Sequence, residues 1–300
     1  MKSRFESAGV IVVERSKVWD FVSLTKPELT FLSILTAVGG AYLAGAQELA
    51  GVGGAFLHIL IGTLLVGGGA GALNQYLERE YDALMKRTEN RSLPSGRLLA
   101  GEALVFGMLL SAGGVLYLGL MTNLLTALLA VATLVSYLFL YTPLKRVTWV
   151  STIVGGIPGA LPPVMGWTAV RNEVSIETFA LFAILFCWQM PHFFSLAWMY
   201  RKDYERAGFP MLPVRDRTGI RTGIQSVLYC LGLLLSSVIL GGVSHLGTLY
   251  AYGSVLLGLA FLLCGLVFLI TRSNGSARRM FFASLAYLPA LLAVVVLDRL

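Results

Sequence analysis

The sequence predicts an all-α membrane protein that crosses the bilayer nine times. The chain of 300 residues is 56% hydrophobic and only 13% charged, and its mean hydropathy is +0.76. Because soluble domains are about 25% charged, this composition excludes an ordinary soluble protein. A helix needs about 20 apolar residues to cross a bilayer, and runs near that length recur along the chain.

Nine such runs occupy most of the sequence. The second is expected to continue as helix beyond the membrane to about Met85, and Pro191 is expected to kink the sixth. No hydrophilic segment is long enough for a separate soluble domain, so residues 1–300 are expected to form one membrane-embedded domain. The predicted spans are 28–46, 54–76, 99–119, 123–141, 150–168, 176–199, 223–244, 248–270 and 279–297.

The positive charges predict how the spans are oriented. If the spans alternate in direction, all 23 Lys and Arg residues except Arg171 and Arg299 fall on one side. Cytoplasmic loops carry such an excess, so we expect a cytoplasmic amino terminus, an outer carboxyl terminus and a site open to the cytoplasm. The net charge of +7 therefore reports topology and not nucleic acid binding. The apolar run 9–13 is too short for a signal peptide, and the expected location is the cell (inner) membrane.

A row of polar side chains begins within the second span. Asn74, Glu78 and Asp82 recur every four residues, so a helix places them on one face. Carboxylates at membrane depth usually serve ions or substrates, and their oxygens, together with phosphate oxygens, suit Mg²⁺. Arg87 and Arg91 follow and can bind the same phosphates through paired hydrogen bonds. The pattern indicates a diphosphate–Mg²⁺ site at the membrane surface.

A second interpretation of this row is a simple interfacial cap, because polar residues and arginines often end a membrane helix. Asn74 argues against that interpretation. It precedes the run of charge and is expected to lie still at membrane depth, where a solvated helix end needs no carboxamide.

A second cluster ends the sixth span. His192 follows Pro191, and its imidazole could ligate iron or move protons, although a hydrogen-bonded core histidine is an equal alternative. Asp203 and Glu205 follow about three turns later and are expected near the same membrane face as Asp82. The side chains expected to line one large aromatic cavity with the histidine are Trp188, Gln189, Phe193, Phe194 and Trp198.

Several of these stretches resemble the UbiA-type intramembrane prenyltransferases. The stretch from Asn74 to Arg91, followed by LPSGR at 93–97, resembles the first Asp-rich motif of that family. The segments YTPLKRVT at 141–148, WQMPHF at 188–193 and DYERAGFPMLP at 203–213 are similar to the branch of the family that farnesylates haem. The resemblance covers most of the chain.

The sequence also departs from the family pattern. Glu78 stands where Asp is usual, Ser92 where proline is common and Ser151 where Asn is common. Relatives that act on quinone precursors carry a second acidic motif with two aspartates, whereas only Asp203, with Glu205 nearby, stands here. The number of Mg²⁺ ions is therefore left open.

The resemblance implies a ring of nine helices around a central cavity. It implies transfer of the farnesyl group of farnesyl diphosphate, with water, to the 2-vinyl group of protohaem IX, which gives haem O and diphosphate. Expected partners are the lipid bilayer and the next enzyme of haem A synthesis. The process to which the resemblance assigns this reaction is cytochrome oxidase maturation. The implied metal-binding and catalytic residues are Asn74, Glu78, Asp82 and Asp203. The implied diphosphate-binding residues are Arg87, Arg91, Lys145, Arg146 and Lys202, and the implied haem-side residues are His192, Trp188 and Gln189.

Two other functions stay open at this point. A UbiA-type transferase for a quinone-precursor aromatic acceptor would share the Mg²⁺ site, although His192 and the missing second aspartate count against it. A non-catalytic membrane carrier or transporter of haem or isoprenoid would need no Mg²⁺, so its function should survive EDTA. Lys145 and Arg146 lie on the reactive side, but they can also simply follow the charge bias.

Overall fold

The computed structural model describes residues 16–45 and 49–300. The charges Lys2, Arg4 and Arg15 and the apolar run 9–13 lie outside the described residues. In these two ranges the chain forms thirteen α-helices and one π-helical segment, Ser136–Tyr141, and no strand. The α-helices are α1 Lys17–Leu24, α2 Pro27–Gly45, α3 Leu49–Asp82, α4 Ala100–Met121, α5 Leu124–Val135, α6 Thr142–Leu144, α7 Ser151–Arg171, α8 Ile176–Met199, α9 Arg201–Arg206, α10 Leu212–Arg215, α11 Ile220–Val243, α12 Thr248–Thr271 and α13 Asn274–Arg299.

Nine membrane-length helical stretches occur within the described ranges, which confirms the predicted fold class. The fourth combines α5, the π-helical segment and α6, and the others are α2, α3, α4, α7, α8, α11, α12 and α13. Helix α3 ends at Asp82, three residues before the predicted end at Met85. The hydroxyl of Thr88 donates to the carbonyl of Asp82 at 2.7 Å, so the chain turns back there and satisfies a carbonyl that the helix leaves unpaired.

Two glycines let α2 and α7 approach closely. A Cβ on Gly40 would overlap the backbone carbonyl of Pro163, and a Cβ on Gly166 would overlap that of Ala37. Small residues at such positions allow two helix backbones to pack against each other in a membrane. Helix α7 also packs on α5 and α8, and α8 packs on α11 and α13. Helix α7 therefore contacts α2, α5 and α8 within the bundle.

An apolar cluster joins the ends of α3 and α8. Met85, just after α3, packs with Ala197 near the end of α8 and with Tyr204 and Phe209, which follow it. The two polar helix ends singled out in the sequence are thereby held at the same end of the bundle. This cluster fixes the place of the site described next.

Candidate active site

The polar row on α3 is buried. Asn74, Glu78 and Asp82 are 2%, 3% and 1% exposed, and the helix is continuous through all three. Eight residues correspond to about 12 Å of helix rise, so the row is a ladder of positions, too long for all three residues to bind one ion. Buried polar and charged groups are costly unless each one has a partner.

Each residue of this ladder has a cationic partner from a different part of the chain. One cation lies just before α2, one just after α6 and one in the loop that follows α3. All three are drawn in from outside the membrane-spanning helices toward a single helix face. The pairs are Lys26 Nζ with Asn74 Oδ1 at 2.6 Å, Lys145 Nζ with Glu78 Oε1 at 3.0 Å and Arg91 Nη1 with Asp82 Oδ2 at 2.8 Å.

Lys145 is held between a carboxylate and an aromatic ring. Its ammonium contacts both oxygens of Glu78, at 3.0 and 3.1 Å, and lies 4.7 Å from the centre of the Phe209 ring. Burial disfavours the charged ammonium, but the carboxylate of Glu78 outweighs burial and raises the pKa of Lys145 above its ordinary value. Lys145 therefore stays a cation inside the protein.

Lys26 is a half-buried cation with weaker support. Burial, followed by repulsion from Arg91, lowers the pKa of Lys26 to about 8. Its hydrogen-bond partner Asn74 is neutral and cannot balance its charge. The ladder and its partners contain three cations but only two carboxylates, so the group carries an excess of positive charge. The cations are Lys26, Lys145 and Arg91, and the carboxylates are Glu78 and Asp82. A polyanion such as a diphosphate would neutralise that excess.

The second acidic segment lies on α9. Asp203 Oδ1 accepts a hydrogen bond from Arg206 Nη2 at 2.7 Å, and Lys202 on the same helix is exposed. Across residues 16–45 and 49–300 no three His, Cys, Asp or Glu side chains come together as a metal site. Metal binding by Asp203 therefore stays a prediction, although its helix is held beside the end of α3.

Two exposed arginines lie over aromatic rings at this end of the bundle. Arg146 lies 4.2 Å above the ring of Tyr81 and donates to the carbonyl of Leu77 on α3 at 2.8 Å. Arg87 lies 5.6 Å from the ring centre of Tyr200. Stacking leaves guanidinium edges free for other acceptors, which suits side chains that bind a ligand arriving from the surface.

Helix α1 braces the loop that carries Arg91. Asp20 is 3% exposed. Its Oδ1 accepts hydrogen bonds from Ser92 Oγ at 2.7 Å and from Arg97 Nε at 3.0 Å. Because Ser92 follows Arg91 directly, the position of the arginine depends on a helix more than 70 residues away in sequence.

His192 is stacked against two aromatic rings. The Trp188 ring lies 5.3 Å from it at an angle of 20°, and the Phe281 ring lies 4.7 Å from it at 28°. Its Nδ1 is 2.8 Å from Ser284 Oγ, and the Trp188 indole donates to the Ser284 carbonyl at 2.8 Å. These contacts hold α8 against α13.

The expectation of one aromatic cavity around His192 is wrong. Gln189 donates to the carbonyl of Gly156 on α7 at 2.7 Å, Phe194 packs near Tyr229 on α11, and Trp198 packs edge-on against Phe268 of α12. An α-helix turns about 100° per residue, so neighbours in sequence face different partners.

Residues 33–286 match the model of the UbiA prenyltransferase family. The chain belongs to the UbiA prenyltransferase family. Curated relatives cover nearly its full length. A protein of Solibacter usitatus named protoheme IX farnesyltransferase is 46% identical over 93% of this chain and 98% of its own length. One of the same name from Koribacter versatilis is 43% identical over 93% of both chains.

Solved structures of the family share the fold. The UbiA homolog of Aeropyrum pernix K1 superposes with a TM-score of 0.74 at 19% identity, over 91% of this chain and 98% of that one. The Archaeoglobus fulgidus homolog bound to GPP and Mg²⁺ gives a TM-score of 0.64 at 15% identity, over 92% of this chain and 99% of that one. At these identities the likeness establishes a UbiA fold and no more.

Three residues of this UbiA-family site were missed by the sequence analysis. In the sequence, Lys26 is one of the positive charges that predict the orientation, and the only local signal for a further role is the Lys-Pro pair at the first span. Asp20 and Ser284 gave no signal, because each acts through a partner far away in sequence. Their importance becomes visible only when α1, α3, α8 and α13 are packed together.

We expect Asp20→Asn to loosen the loop 83–98. The charged hydrogen bonds to Ser92 and Arg97 contribute about 1.5–3 kcal/mol, so local opening of the loop should rise on the order of tenfold. Tryptic cleavage after Lys86 and Arg87 in lipid nanodiscs measures this opening. The matched control is Glu102→Gln, which changes the other ion pair of α1, with Lys17 at 2.6 Å. Equal cleavage of the two variants would show that Asp20 does not brace the loop.

Proposed function

We propose that this chain transfers the farnesyl group of farnesyl diphosphate to protohaem IX, with addition of water, to give haem O. The observation that carries the proposal is the buried ladder on α3, where three cations face two carboxylates. Such an excess suits a diphosphate at the edge of a membrane. The curated relatives named protoheme IX farnesyltransferase supply the identity of the acceptor.

The donor set of the ladder fits Mg²⁺. Glu78 and Asp82 present buried carboxylate oxygens, and Asp82 Oδ1 has no hydrogen-bond donor within the described part of the chain, since Arg91 binds only Oδ2. Mg²⁺ takes oxygen ligands from one or two carboxylates and from substrate phosphates. We assign Glu78 and Asp82, with Asp203 in support, to this ion. Asn74 lies about 12 Å of helix rise from Asp82, so we assign it to the same metal–diphosphate site but not to the same ion. When bound there, Mg²⁺ supplies positive charge beside the departing diphosphate.

The cations of the ladder bind and neutralise the leaving group. Arg91, Lys145 and Lys26 hold the diphosphate as the allylic C–O bond breaks and its electron pair stays on the diphosphate oxygen. Arg87, Arg146 and Lys202 guide the diphosphate in from the surface. The tyrosine and phenylalanine rings around Lys145 and Arg146 stabilise the farnesyl cation, and the surrounding helices exclude water from it.

The haem vinyl group then attacks as the nucleophile. Its π electrons form the new C–C bond to the farnesyl carbon, which leaves positive charge on the vinyl carbon next to the macrocycle. Water adds at that carbon and releases a proton, so the product gains a farnesyl group and a hydroxyl. We assign His192, Trp188 and Gln189 to the haem side of the site.

We propose that the site faces the cytoplasm of a multi-pass protein in the cell (inner) membrane. Nearly all basic residues of the described loops lie at the end of the bundle that carries the ladder, and positive charge collects on the cytoplasmic side. Both substrates combine a greasy body with an anionic head. A membrane-edge site accepts the heads while the bodies lie among the helices. An enzyme of haem A synthesis would receive the product.

We expect Arg91→Lys to raise the KM for farnesyl diphosphate on the order of tenfold. Lysine keeps the charge but loses the planar fork that binds Asp82 and a phosphate at once. Steady-state kinetics with varied farnesyl diphosphate give the value. Arg79→Lys is the control, because Arg79 forms its ion pair with the exposed Glu80, at 3.3 Å, and otherwise contacts Tyr76 on its own helix. An unchanged KM for Arg91→Lys would show that Arg91 only contributes to the charge bias that orients the protein in the membrane.

Haems extracted from cells with and without this gene test the proposed function. Mass spectrometry should find a species heavier than protohaem by farnesyl plus water only when the gene is expressed. A farnesylated aromatic acid in its place would favour the quinone-type transferase. Unmodified haem and isoprenoid in both cultures would favour a carrier.

A further inference from the structure

Ser284 on α13 is fully buried and has two polar neighbours. Its hydroxyl lies 2.5 Å from the Phe281 carbonyl oxygen and 2.8 Å from His192 Nδ1. A hydroxyl has one proton to donate. The carbonyl oxygen can only accept, and two oxygens 2.5 Å apart need a proton between them, so the hydroxyl of Ser284 donates to Phe281.

The direction of that bond determines the tautomer of His192. With its only proton already donated, Ser284 Oγ acts as acceptor toward Nδ1, so Nδ1 carries the N–H. The ring lies within a membrane span, and no acidic side chain of the described residues pairs with it, so it is neutral with a single N–H. Nε2 is then left with a free lone pair and has no hydrogen-bond partner in the described part of the chain.

The two stacked rings determine how a ligand can reach that lone pair. The rings of Trp188 and Phe281 both stack against the imidazole, so a ligand approaches the lone pair at the edge, in the plane of the ring. A metal ion binds imidazole in that plane, along the Nε2 lone pair. Histidines that bind metals usually donate their other N–H to a fixed acceptor, which sets the tautomer and strengthens the ligand.

We propose that Ser284 is a positioning residue that holds His192 in the tautomer whose Nε2 binds the iron of protohaem. This inference rests on the proposed function, in which protohaem is the acceptor substrate. Ser284 touches neither substrate and acts only through the imidazole. Its role is to hold the haem by its iron while the vinyl group faces the farnesyl donor.

The test is a double-mutant cycle on haem binding. The full-length protein in nanodiscs is titrated with ferric protohaem and followed by visible absorption, for the wild type, Ser284→Ala, His192→Ala and the double variant. Ser284→Ala should weaken haem binding about 10–100-fold, as loss of a metal ligand's hydrogen-bond partner does. The same change in the His192→Ala background should have no effect, because the two residues act as one unit.

A spectroscopic readout separates positioning from general stability. In the reduced haem complex, Ser284→Ala should move the iron–imidazole stretching band to lower frequency, and His192→Ala should abolish it. The control is Ser237→Ala, which removes a buried hydroxyl 3.1 Å from Tyr287, one turn further along α13. That variant should keep both the band and the affinity of the wild type.

Two outcomes would overturn the inference. One is an unchanged band and affinity in Ser284→Ala, and the other is an equal loss of affinity in both backgrounds. Mass analysis of the wild-type reaction separates these outcomes from failure of the proposed function. If the wild type farnesylates haem but the double-mutant cycle gives either of these outcomes, only the role of Ser284 is contradicted. If no farnesylated haem forms, the proposed function itself falls.

Discussion

Asp82→Asn should lower the rate of farnesyl transfer by about 10²–10³-fold, the usual cost of removing one group that stabilises developing charge. Asparagine keeps the size of the side chain but removes its negative charge, which both Arg91 and a bound Mg²⁺ require. The fold should survive, because the Arg91 side chain is 28% exposed and can be solvated when its partner is lost. The measurement is the initial rate of haem O formation in nanodiscs at saturating substrates.

Glu80→Gln is the matched control for Asp82→Asn. Glu80 lies on the same helix two residues earlier, but its side chain is 79% exposed, and its one partner among the described residues is Arg79. Neutralising it should leave the rate within about twofold, since exposed ion pairs contribute little. If both variants kept the wild-type rate, the ladder on α3 would not be the diphosphate site.

His192→Ala should nearly abolish haem binding while leaving farnesyl diphosphate binding intact. It removes the proposed iron ligand itself, so the loss should exceed the roughly 10–100-fold cost of losing only that ligand's hydrogen-bond partner. Haem titration by visible absorption measures one substrate, and binding of a non-hydrolysable farnesyl diphosphate analogue measures the other. The fall in turnover should follow the loss of haem affinity.

His58→Ala controls for the loss of a histidine from a membrane helix. His58 Nδ1 lies 2.9 Å from the hydroxyl of Tyr117, so it has the same kind of partner as His192. That variant should bind both substrates normally. If His192→Ala lost the analogue and kept haem with an unchanged spectrum, His192 would belong to the diphosphate side.

The features that the sequence predicts here depend on local patterns. Nine apolar runs predict nine helices, because each run alone has the length that a bilayer requires. The spacing of Asn74, Glu78 and Asp82 places them on one face of a helix wherever that helix lies.

The features that the sequence could not predict depend on contacts across the fold. Lys26 reaches Asn74 across 48 residues, Ser92 reaches Asp20 across 72, and His192 reaches Ser284 across 92. No pattern within one segment encodes such pairs. The aromatic residues of α8 gave a wrong prediction because closeness in sequence was taken to mean closeness in space. They are close in sequence, but the rotation of the helix directs them toward α7, α11, α12 and α13.

The most direct test is the reaction of the purified protein in lipid nanodiscs with protohaem and farnesyl diphosphate. With Mg²⁺ present we expect one haem product, heavier than protohaem by farnesyl plus water, and one diphosphate released for each product formed. EDTA should stop both, and added Mg²⁺ should restore them. Absence of any farnesylated haem in the presence of Mg²⁺, or its undiminished formation in EDTA, would contradict a metal-assisted transfer at the α3 ladder.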